Sequence, residues 1–578
     1  MIKNYQTICT FFLMLVSTSV LAQFNFFDKA TSAGANYSYG NSVFGGGVSF
    51  SDFNNDGWDD LTYSTDATEK IIFLENNGNS TFSKVELLGI DNKDLAKSVM
   101  WVDFDNDGDK DFFTTSLNGI NRFYENTGNM IFTDITNTCG IFTNDLLTYG
   151  ASFGDIDNDG DLDLFISNRG QDAANRNYLY RNDNGTFVDI SSAAGIVSSG
   201  ELSFCSSFFD YNNDGFQDIY VANDKADMNR LYKNDGDGTF TDVSVSSGAG
   251  ITIDAMSTTI GDYNNDGHFD IYITNTDAGN YLLKNNGDGT FTNTAPSTGT
   301  EFLSIAWGAV FLDADNDSNL DLYVSGMLDG SDPNRLPSAF YHNNGAEIFS
   351  IPNNIGLSND VGQSYGNAIG DYDNNGRPEI VVMNDTDNYY LWSDNSVNTN
   401  NWLKIKLEGV SSNKDGVGNR IEISAGGKIQ YRYTVSGEGY LGQNSSYEFV
   451  GVGTATNIDY VKVTWNKTGQ VETINNITPN QAILIQEGNG IVLSVESQEL
   501  NTFSIYPNPS AEGLYKFNTG EENTCFIEVF DLSGRVVVAK KEINNSQEID
   551  LINVAKGVYL AKVSTSDNKS KTIKLVRN

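Results

Sequence analysis

Histidine, cysteine and proline are scarce: 2, 4 and 8 in 578 residues. Each shortage removes a class of protein. Cys9 falls in a leader, so Cys139, Cys205 and Cys525 remain, an odd and scattered set without metal-ligand spacing. That excludes a disulfide framework and a zinc cage. Buried free thiols are expected for them, with a Cys139–Cys205 disulfide as the alternative. Two histidines leave little for histidine-assisted hydrolysis. Basic residues are short too: Lys and Arg number 35 against 76 Asp and Glu, a net charge of -41. Nucleic acid and anionic membrane are therefore not expected as partners, because their binders carry the opposite balance. Beyond the N-terminus no stretch has the roughly 20 apolar residues of a membrane helix, so no transmembrane segment is expected after leader cleavage.

The leader itself, "MIKNYQTICTFFLMLVSTSVLAQ", has one Lys, an apolar run around Phe11–Val16 and a small-residue exit at Val20-Leu21-Ala22. It reads as a signal peptide, residues 1–22, with a short membrane anchor as the alternative. What the rest of the chain has is glycine (56 residues) and aromatics (12%). That pairing suits many short strands joined by tight turns.

One acidic nonapeptide recurs seven times. The copies are "DFNNDGWDD" from Asp52, "DFDNDGDKD" from Asp103, "DIDNDGDLD" from Asp155, "DYNNDGFQD" from Asp210, "DYNNDGHFD" from Asp262, "DADNDSNLD" from Asp313 and "DYDNNGRPE" from Asp371. They are spaced 51 to 58 residues apart, a repeat architecture. Before each loop comes a run of small and apolar residues, as in "GASFGD" or "GAVFLD"; after it comes an apolar strand, as in "LDLFISN", and then a relative of "NRLYKNDGDGTFTDVS". About four strands per unit at this period suit a β-propeller blade. Gly47, Gly150, Cys205, Ser257, Gly308 and Gly366 are expected on the crowded innermost strands. The seventh unit ends "NYYLWSDNS" without its last strand, whereas "FNFFDKATSAG" from Phe24 reads like "GTFTDVSVSSGAG". The N-terminal segment is therefore expected to complete the last blade and close the ring; an open array with a capping strand is the alternative.

Positions 1, 3, 5 and 9 of each loop are the candidate metal ligands. They are Asp52, Asn54, Asp56 and Asp60; Asp103, Asp105, Asp107 and Asp111; Asp155, Asp157, Asp159 and Asp163; Asp210, Asn212, Asp214 and Asp218; Asp262, Asn264, Asp266 and Asp270; Asp313, Asp315, Asp317 and Asp321; and Asp371, Asp373, Asn375 and Glu379. Acids fill 24 of these 28 places. Two like charges about 4 Å apart repel by roughly 4 kcal/mol at an effective dielectric near 20, so such a turn opens unless a hard dication holds it. Calcium takes six to eight oxygens. Position 7 offers only its carbonyl, so its side chain varies: Trp58, Asp109, Asp161, Phe216, His268, Asn319 and Arg377. Up to seven calcium ions are expected, magnesium being the minor alternative. The pattern begins like an EF-hand but has Tyr63 at position 12 of the first loop, and its flanks are strands. Ser318 at position 6, and Asn375 with Glu379, mark the sixth and seventh loops as the weakest binders.

These "FxDxDxDGxxDL" units resemble the FG-GAP/VCBS repeats of integrin-α-type seven-bladed propellers over about residues 24–397. The resemblance implies calcium in the blade loops and a ligand-binding or adhesive face. Residues 401–488 alternate as strands do. Asp415-Gly416-Val417-Gly418, "GYLGQNSS" from Gly439, "VGVG" and Val463-Thr464-Trp465 resemble the ASPIC/UnbV domain, with Glu448 near the place where relatives carry His and Asn466 where they carry Pro. Residues 503–578, with "YPNP", "DLSGR" and "GVYLAKV", resemble the C-terminal sorting domain of the Bacteroidetes type IX secretion system. An ordinary β-sandwich adhesion module is the alternative. The expected order is signal peptide (1–22), propeller (23–400), ASPIC/UnbV-like domain (401–488), linker (489–502) and sorting domain (503–578). The fold class is all-β: a seven-bladed propeller followed by two small β-sandwich-like domains. The implied place is outside the cell or on the outer-membrane surface, and the implied partner is the type IX machinery.

No catalytic set stands out. "GASFG" (150–154) and "GQSYG" (362–366) fit G-x-S-x-G but lie on or beside inner strands, not at a strand-to-helix elbow. The clustered acids are committed to metal. The Asn-Arg pairs ending in Arg122, Arg230 and Arg335 read first as packing or turn residues, and otherwise as a basic rim for acidic sugars. The insert "GMLDGSDPNRLPSAF" (326–340) breaks the period and is the candidate ligand loop, a plain surface excursion being equally open. The expected function is therefore calcium-dependent adhesion or binding of an extracellular protein or glycan, without catalysis. The alternative is a carbohydrate-active enzyme, either a calcium-assisted polysaccharide lyase or a glycoside hydrolase.

Overall fold

The structure is a computed structural model that describes residues 24–492, apart from 42, 67–68, 92–93, 118, 329 and 397, and parts of 504–577. The leader and positions 493–502 of the linker lie outside the described residues. Two compact units divide the chain at Val492.

Seven four-stranded antiparallel sheets follow one another in the first unit. The first is Val48–Ser51, Asp60–Tyr63, Ile72–Asn76 and Phe82–Val85. The seventh is Gln363–Gly370, Glu379–Asp385 and Tyr390–Asp394, completed by Phe26–Asp28 from the N-terminus. Phe26 faces Asp394 and Asp28 faces Trp392 across that pairing, so the terminal segment supplies the missing fourth strand. The short helix that follows it, Ala30–Ala33, has counterparts after the fourth strands of the fourth and fifth sheets, at Ser244–Ser247 and Ala295–Thr298.

An asparagine at the end of the third strand ties five of the seven sheets to their predecessors; in the second sheet Asn126 bonds Lys110 O and Met130 within its own sheet, and the seventh ends this strand in Asp394. The side-chain amides of Asn182, Asn234, Asn285 and Asn343 donate to position 8 of their own loop and to the position-2 carbonyl of the loop before, at Phe104, Ile156, Tyr211 and Tyr263. Asn76 does the same across the closure, reaching Asp59 O and Tyr372 O at 3.0 and 2.8 Å. The ring therefore closes from the seventh sheet to the first with the same bond that joins its neighbours.

The inner strands show why small residues recur five places before each loop. A Cβ on Gly308 would stand 2.6 Å from Tyr365 O, and one on Gly150 would stand 2.5 Å from Phe204 O. The preceding residue in each strand points the other way. There Tyr149, Phe204, Met256, Trp307 and Tyr365 share one core, and Phe204 of the fourth sheet meets Trp307 of the sixth at 5.8 Å across the axis.

Two further four-stranded sheets form a sandwich. One contains Asn401–Glu408, Glu448–Gly453, Gln481–Gln486 and Gly490–Val492; the other contains Arg420–Ala425, Lys428–Tyr433, Ile458–Trp465 and Gln470–Ile477. Alternation explains it: Ile458, Val461, Val463 and Trp465 are buried in the shared core while Asp459, Lys462 and Thr464 between them are not. The last strand runs past residue 488. This sandwich and the propeller form one compact unit. Its 436–445 segment threads the propeller axis: Gln443 exchanges backbone bonds with Val48 and Phe50, Gly439 bonds Thr258, and Ser436 O accepts from Phe153 N. The Gln443 amide also bonds Ser49 Oγ and both backbone groups of Trp101. The second unit has a three-stranded and a four-stranded sheet around Tyr515, Ile527, Val529, Ala561 and Leu575. All three cysteines of the described residues are buried free thiols.

Replacing Asn234 by Ala leaves two buried carbonyls, Ile156 O and Gln217 O, without this donor. The expected loss is about 2 kcal/mol in chemical denaturation; a loss below about 0.5 kcal/mol, the range of an ordinary surface change, would contradict the clamp.

Candidate metal centres

Each loop is a tight turn organised by its own acids. The position-1 carboxylate accepts the position-6 N–H in all seven loops, at 2.8–3.0 Å. The position-9 carboxylate accepts the position-2 N–H in all seven, at 2.8–3.4 Å. Its other oxygen takes a third-strand Asn N–H in six loops, at 2.7–2.8 Å. In the seventh, the longer Glu379 takes Ser393 Oγ instead, at 3.1 Å. Position 5 accepts the N–H of position 7, which fixes the backbone there. The position-7 side chain goes its own way, Trp58 lying 3.3 Å from where a Cβ on Gly78 would stand and Asn319 turning back onto the Asp317 carboxylate at 2.8 and 2.9 Å.

Glycine at position 6 has φ between +82° and +97°, and Ser318 is forced to +80° in its place. Position 4 is Asn in every copy, with φ from +55° to +62°. Its amide donates to the position-6 carbonyl of the next loop: Asn55 to Gly108, Asn106 to Gly160, Asn158 to Gly215, Asn213 to Gly267, Asn265 to Ser318, Asn316 to Gly376 and Asn374 back to Gly57. The loops thus form a closed chain on one face.

Carboxylate oxygens meet within 4.8 Å in four of the loops: Asp103, Asp105 and Asp111; Asp155, Asp157 and Asp163; Asp313, Asp315 and Asp321; and Asp371, Asp373 and Glu379. The other three loops have Asn at position 3 (Asn54, Asn212, Asn264), a neutral oxygen donor. His342 adds a nitrogen beside Asp315 and Asp317, its Nδ1 lying 3.0 Å from Asp321 Oδ1. Asp103 Oδ1 is buried and has no hydrogen-bond partner. An oxygen-rich set with an unanswered buried anionic oxygen fits a hard dication such as calcium or magnesium. Burial pushes Asp155 up to about 7, helped by Asp159 and Asp157, and pushes Asp210 and Asp262 up to about 6. Burial likewise raises Asp60, Asp163, Asp218 and Asp270 far above the usual carboxylate range.

The sandwich lays basic groups on this acidic face, which the sequence did not disclose. Lys404 Nζ stands 3.0 Å from Asp371 Oδ2 and 2.6 Å from Asn374 Oδ1. Lys406 approaches Asp52 at 3.8 Å, Arg420 donates to Gly267 O at 2.9 Å, and Lys428 donates to Asp317 O at 3.0 Å. Asp415, singled out in the domain's motif, accepts from Asp103 N at 3.0 Å and pairs with Lys110.

The remaining candidates resolve simply. Ser152 bonds Ser206 and Ser364 bonds Asn384, both within buried strands. Arg122 braces Asp94 and Asp134, Arg230 braces Glu201 and Asp242, and Arg335 pairs with Asp277. These arginines are packing residues, not a free basic rim.

A ring of repeated four-stranded sheets with acidic strand-to-strand loops defines a propeller of the repeat-loop class. Comparison with known proteins agrees. The FG-GAP-like repeat family matches residues 52–114, 103–166, 159–221, 210–273 and 262–324. The ASPIC and UnbV family matches 409–492, and the secretion system C-terminal sorting domain matches 504–578. The chain is an FG-GAP-repeat propeller protein with an ASPIC and UnbV domain and a type IX sorting tail, which places it outside or on the surface of a Bacteroidetes-type bacterium. Among curated proteins, an ulvan lyase of Nonlabens ulvanivorans is 32% identical over 87 residues, 15% of this chain and 16% of that protein. The chain thus matches about a sixth of that relative's length. Similar solved structures include the extracellular domain of a hybrid two-component system from B. thetaiotaomicron (12% identity, 96% of this chain and 73% of that one, TM-score 0.38). YCF48 from Cyanidioschyzon merolae is another (12% identity, 61% and 96%, TM-score 0.37). Among the described residues no helix is long and apolar enough to cross a membrane.

Carboxyls whose folded pKa is raised hold their protons to higher pH than the unfolded chain does. Their contribution is complete below about pH 4 and is lost as pH rises through 6 to 7. Metal-free protein is therefore expected to melt at lower temperature at pH 8 than at pH 5, and saturating calcium to shrink or reverse that difference. Identical pH profiles with and without calcium would contradict this. Ser318→Gly removes the positive-φ strain and should add about 1 kcal/mol in denaturant titration.

Proposed function

We propose that this protein is a secreted, calcium-stabilised propeller that binds an extracellular protein or glycan ligand on the face opposite its acidic loops. The observation that carries the calcium assignment is the buried, unpartnered Asp103 Oδ1 inside a converging carboxylate set. All seven loops, with ligands at positions 1, 3, 5 and 9 and the position-7 carbonyl, are assigned to calcium on that basis. The sixth and seventh are the weakest. The choice of face follows from topology. Strand-one-to-two loops lie under the sandwich, and the 436–445 segment closes the axis from that side. The 326–340 insert joins the second and third strands of the sixth sheet and so emerges on the other face. Leu328 and Leu336 are exposed there. The sorting tail is read by the type IX machinery.

A second reading, a carbohydrate-active enzyme, draws on the short match to an ulvan lyase. The two readings separate experimentally: glycan-array binding without product favours the first, and release of unsaturated sugars favours the second.

Calcium at one hundred times its dissociation constant adds about 2.7 kcal/mol per site. Chelation is therefore expected to lower the melting temperature by several degrees. Asp155→Asn with Asp163→Asn should remove one calcium from the bound stoichiometry. An unchanged melting curve after chelation, with no metal by elemental analysis, would end the calcium reading.

A further inference from the structure

The residues six places before the seven loops are Gly46, Lys97, Tyr149, Phe204, Met256, Trp307 and Tyr365. They stand at one level around the axis. Five are large and apolar, one is glycine, and one is a buried lysine. Tyr440 of the threaded segment lies against Phe204 and Trp307 at 5.6 and 5.1 Å. Together they wall a chamber at the far mouth of the axis.

The chamber is filled by the chain itself. Phe44 enters with φ +60° and packs on Trp307, Phe204 and Tyr149 at 5.4, 5.6 and 6.3 Å. Its segment is gripped by carbonyl oxygens: Lys97 Nζ donates to Val43 O at 2.7 Å and to Gly45 O, and Tyr440 Oη donates to Phe44 O at 2.7 Å. Phe44 is only half-buried, and Val43 beside it is 58% exposed. Trp307 is 6% exposed, yet its indole N–H has no acceptor. At the rim the Arg169 guanidinium stacks on Phe44 and Phe204 at 5.0 and 4.8 Å, with its Nε unpartnered.

Resting on the ligand-binding reading above, we propose that Val43–Gly45 is a displaceable stopper and that the chamber beneath it receives one carboxylated pyranose ring of an acidic saccharide. The present occupant shows the chemistry required: a flat ring for Trp307, with oxygen acceptors for Lys97 and Tyr440. A phenyl ring leaves the indole N–H unanswered, whereas a pyranose offers a C–H face for stacking and hydroxyls to accept that bond. A carboxylate answers Lys97, a buried cation in a chain with net charge -41, while Arg169 is already paired with Asp224 and has only its Nε left to donate. Burial lowers the Lys97 pKa to about 7, so an anion beside it would also secure its charge.

The test is calorimetric titration of the calcium-loaded full chain with trigalacturonate and with neutral cellotriose, for the native protein, Phe44→Ala and Phe44→Ala/Lys97→Met. Circular dichroism melting confirms folding of each. Phe44→Ala is expected to bind trigalacturonate at least tenfold more tightly than the native protein does, and the added Lys97→Met to erase the preference over cellotriose. If Lys97→Met fails to fold, Trp307→Phe on the Phe44→Ala background replaces it, with an expected tenfold loss. Equal affinity in native and Phe44→Ala protein overturns the chamber while leaving glycan binding elsewhere intact. Tighter capture by Phe44→Ala of a phenylalanine-containing peptide, but not of trigalacturonate, overturns the saccharide assignment. Failure of native protein and both variants to bind any glycan overturns the chamber and removes the glycan half of the parent reading.

Discussion

A carboxylate survives burial only where something answers its charge. Here that demand is repeated seven times and met in layers. Backbone N–H groups bond both oxygens of positions 1 and 9 in most loops, and the turn adopts the φ values those bonds require. Lys404 and Lys406 of the neighbouring sandwich approach two of these carboxylates, at Asp371 and Asp52. What remains converges on a point that suits a dication. The turn, the docking of the sandwich and a cluster able to hold a metal ion are three answers to one electrostatic requirement.

The same loops organise the ring. Position-4 asparagines link each loop to the next, and third-strand asparagines link five of the sheets to the one before. Both series cross the closure between the seventh sheet and the first. Pulling one loop out of shape therefore loosens two neighbours. The sandwich adds a further layer, because Gln443 and Tyr440 tie inner strands of several sheets to one inserted segment.

Much of this was legible in the sequence, because a repeat multiplies a local signal. The period, the loop positions and the borrowed N-terminal strand all followed from matching strings to one another. Position 4 was equally visible, Asn in every copy, but its partner lies in the adjacent repeat, so its meaning is tertiary. The axial residues escaped for the opposite reason. Lys97, Tyr149, Phe204, Met256 and Trp307 share no residue type, and only convergence of separate sheets reveals that they face one space. Lys404 beside Asp371 was invisible because nothing local marks which lysine of a strand will face another domain.

The borrowed strand has a consequence for biogenesis. Asn25 meets Asp394 across 369 positions of chain, so the earliest-made strand of the mature fold waits for almost the whole propeller before it finds its partner. Closing so long a loop is entropically costly and leaves the nascent ring unsealed until late. A polypeptide that cannot finish folding while it is being made stays extended for longer, which suits a protein whose sorting tail marks it for secretion.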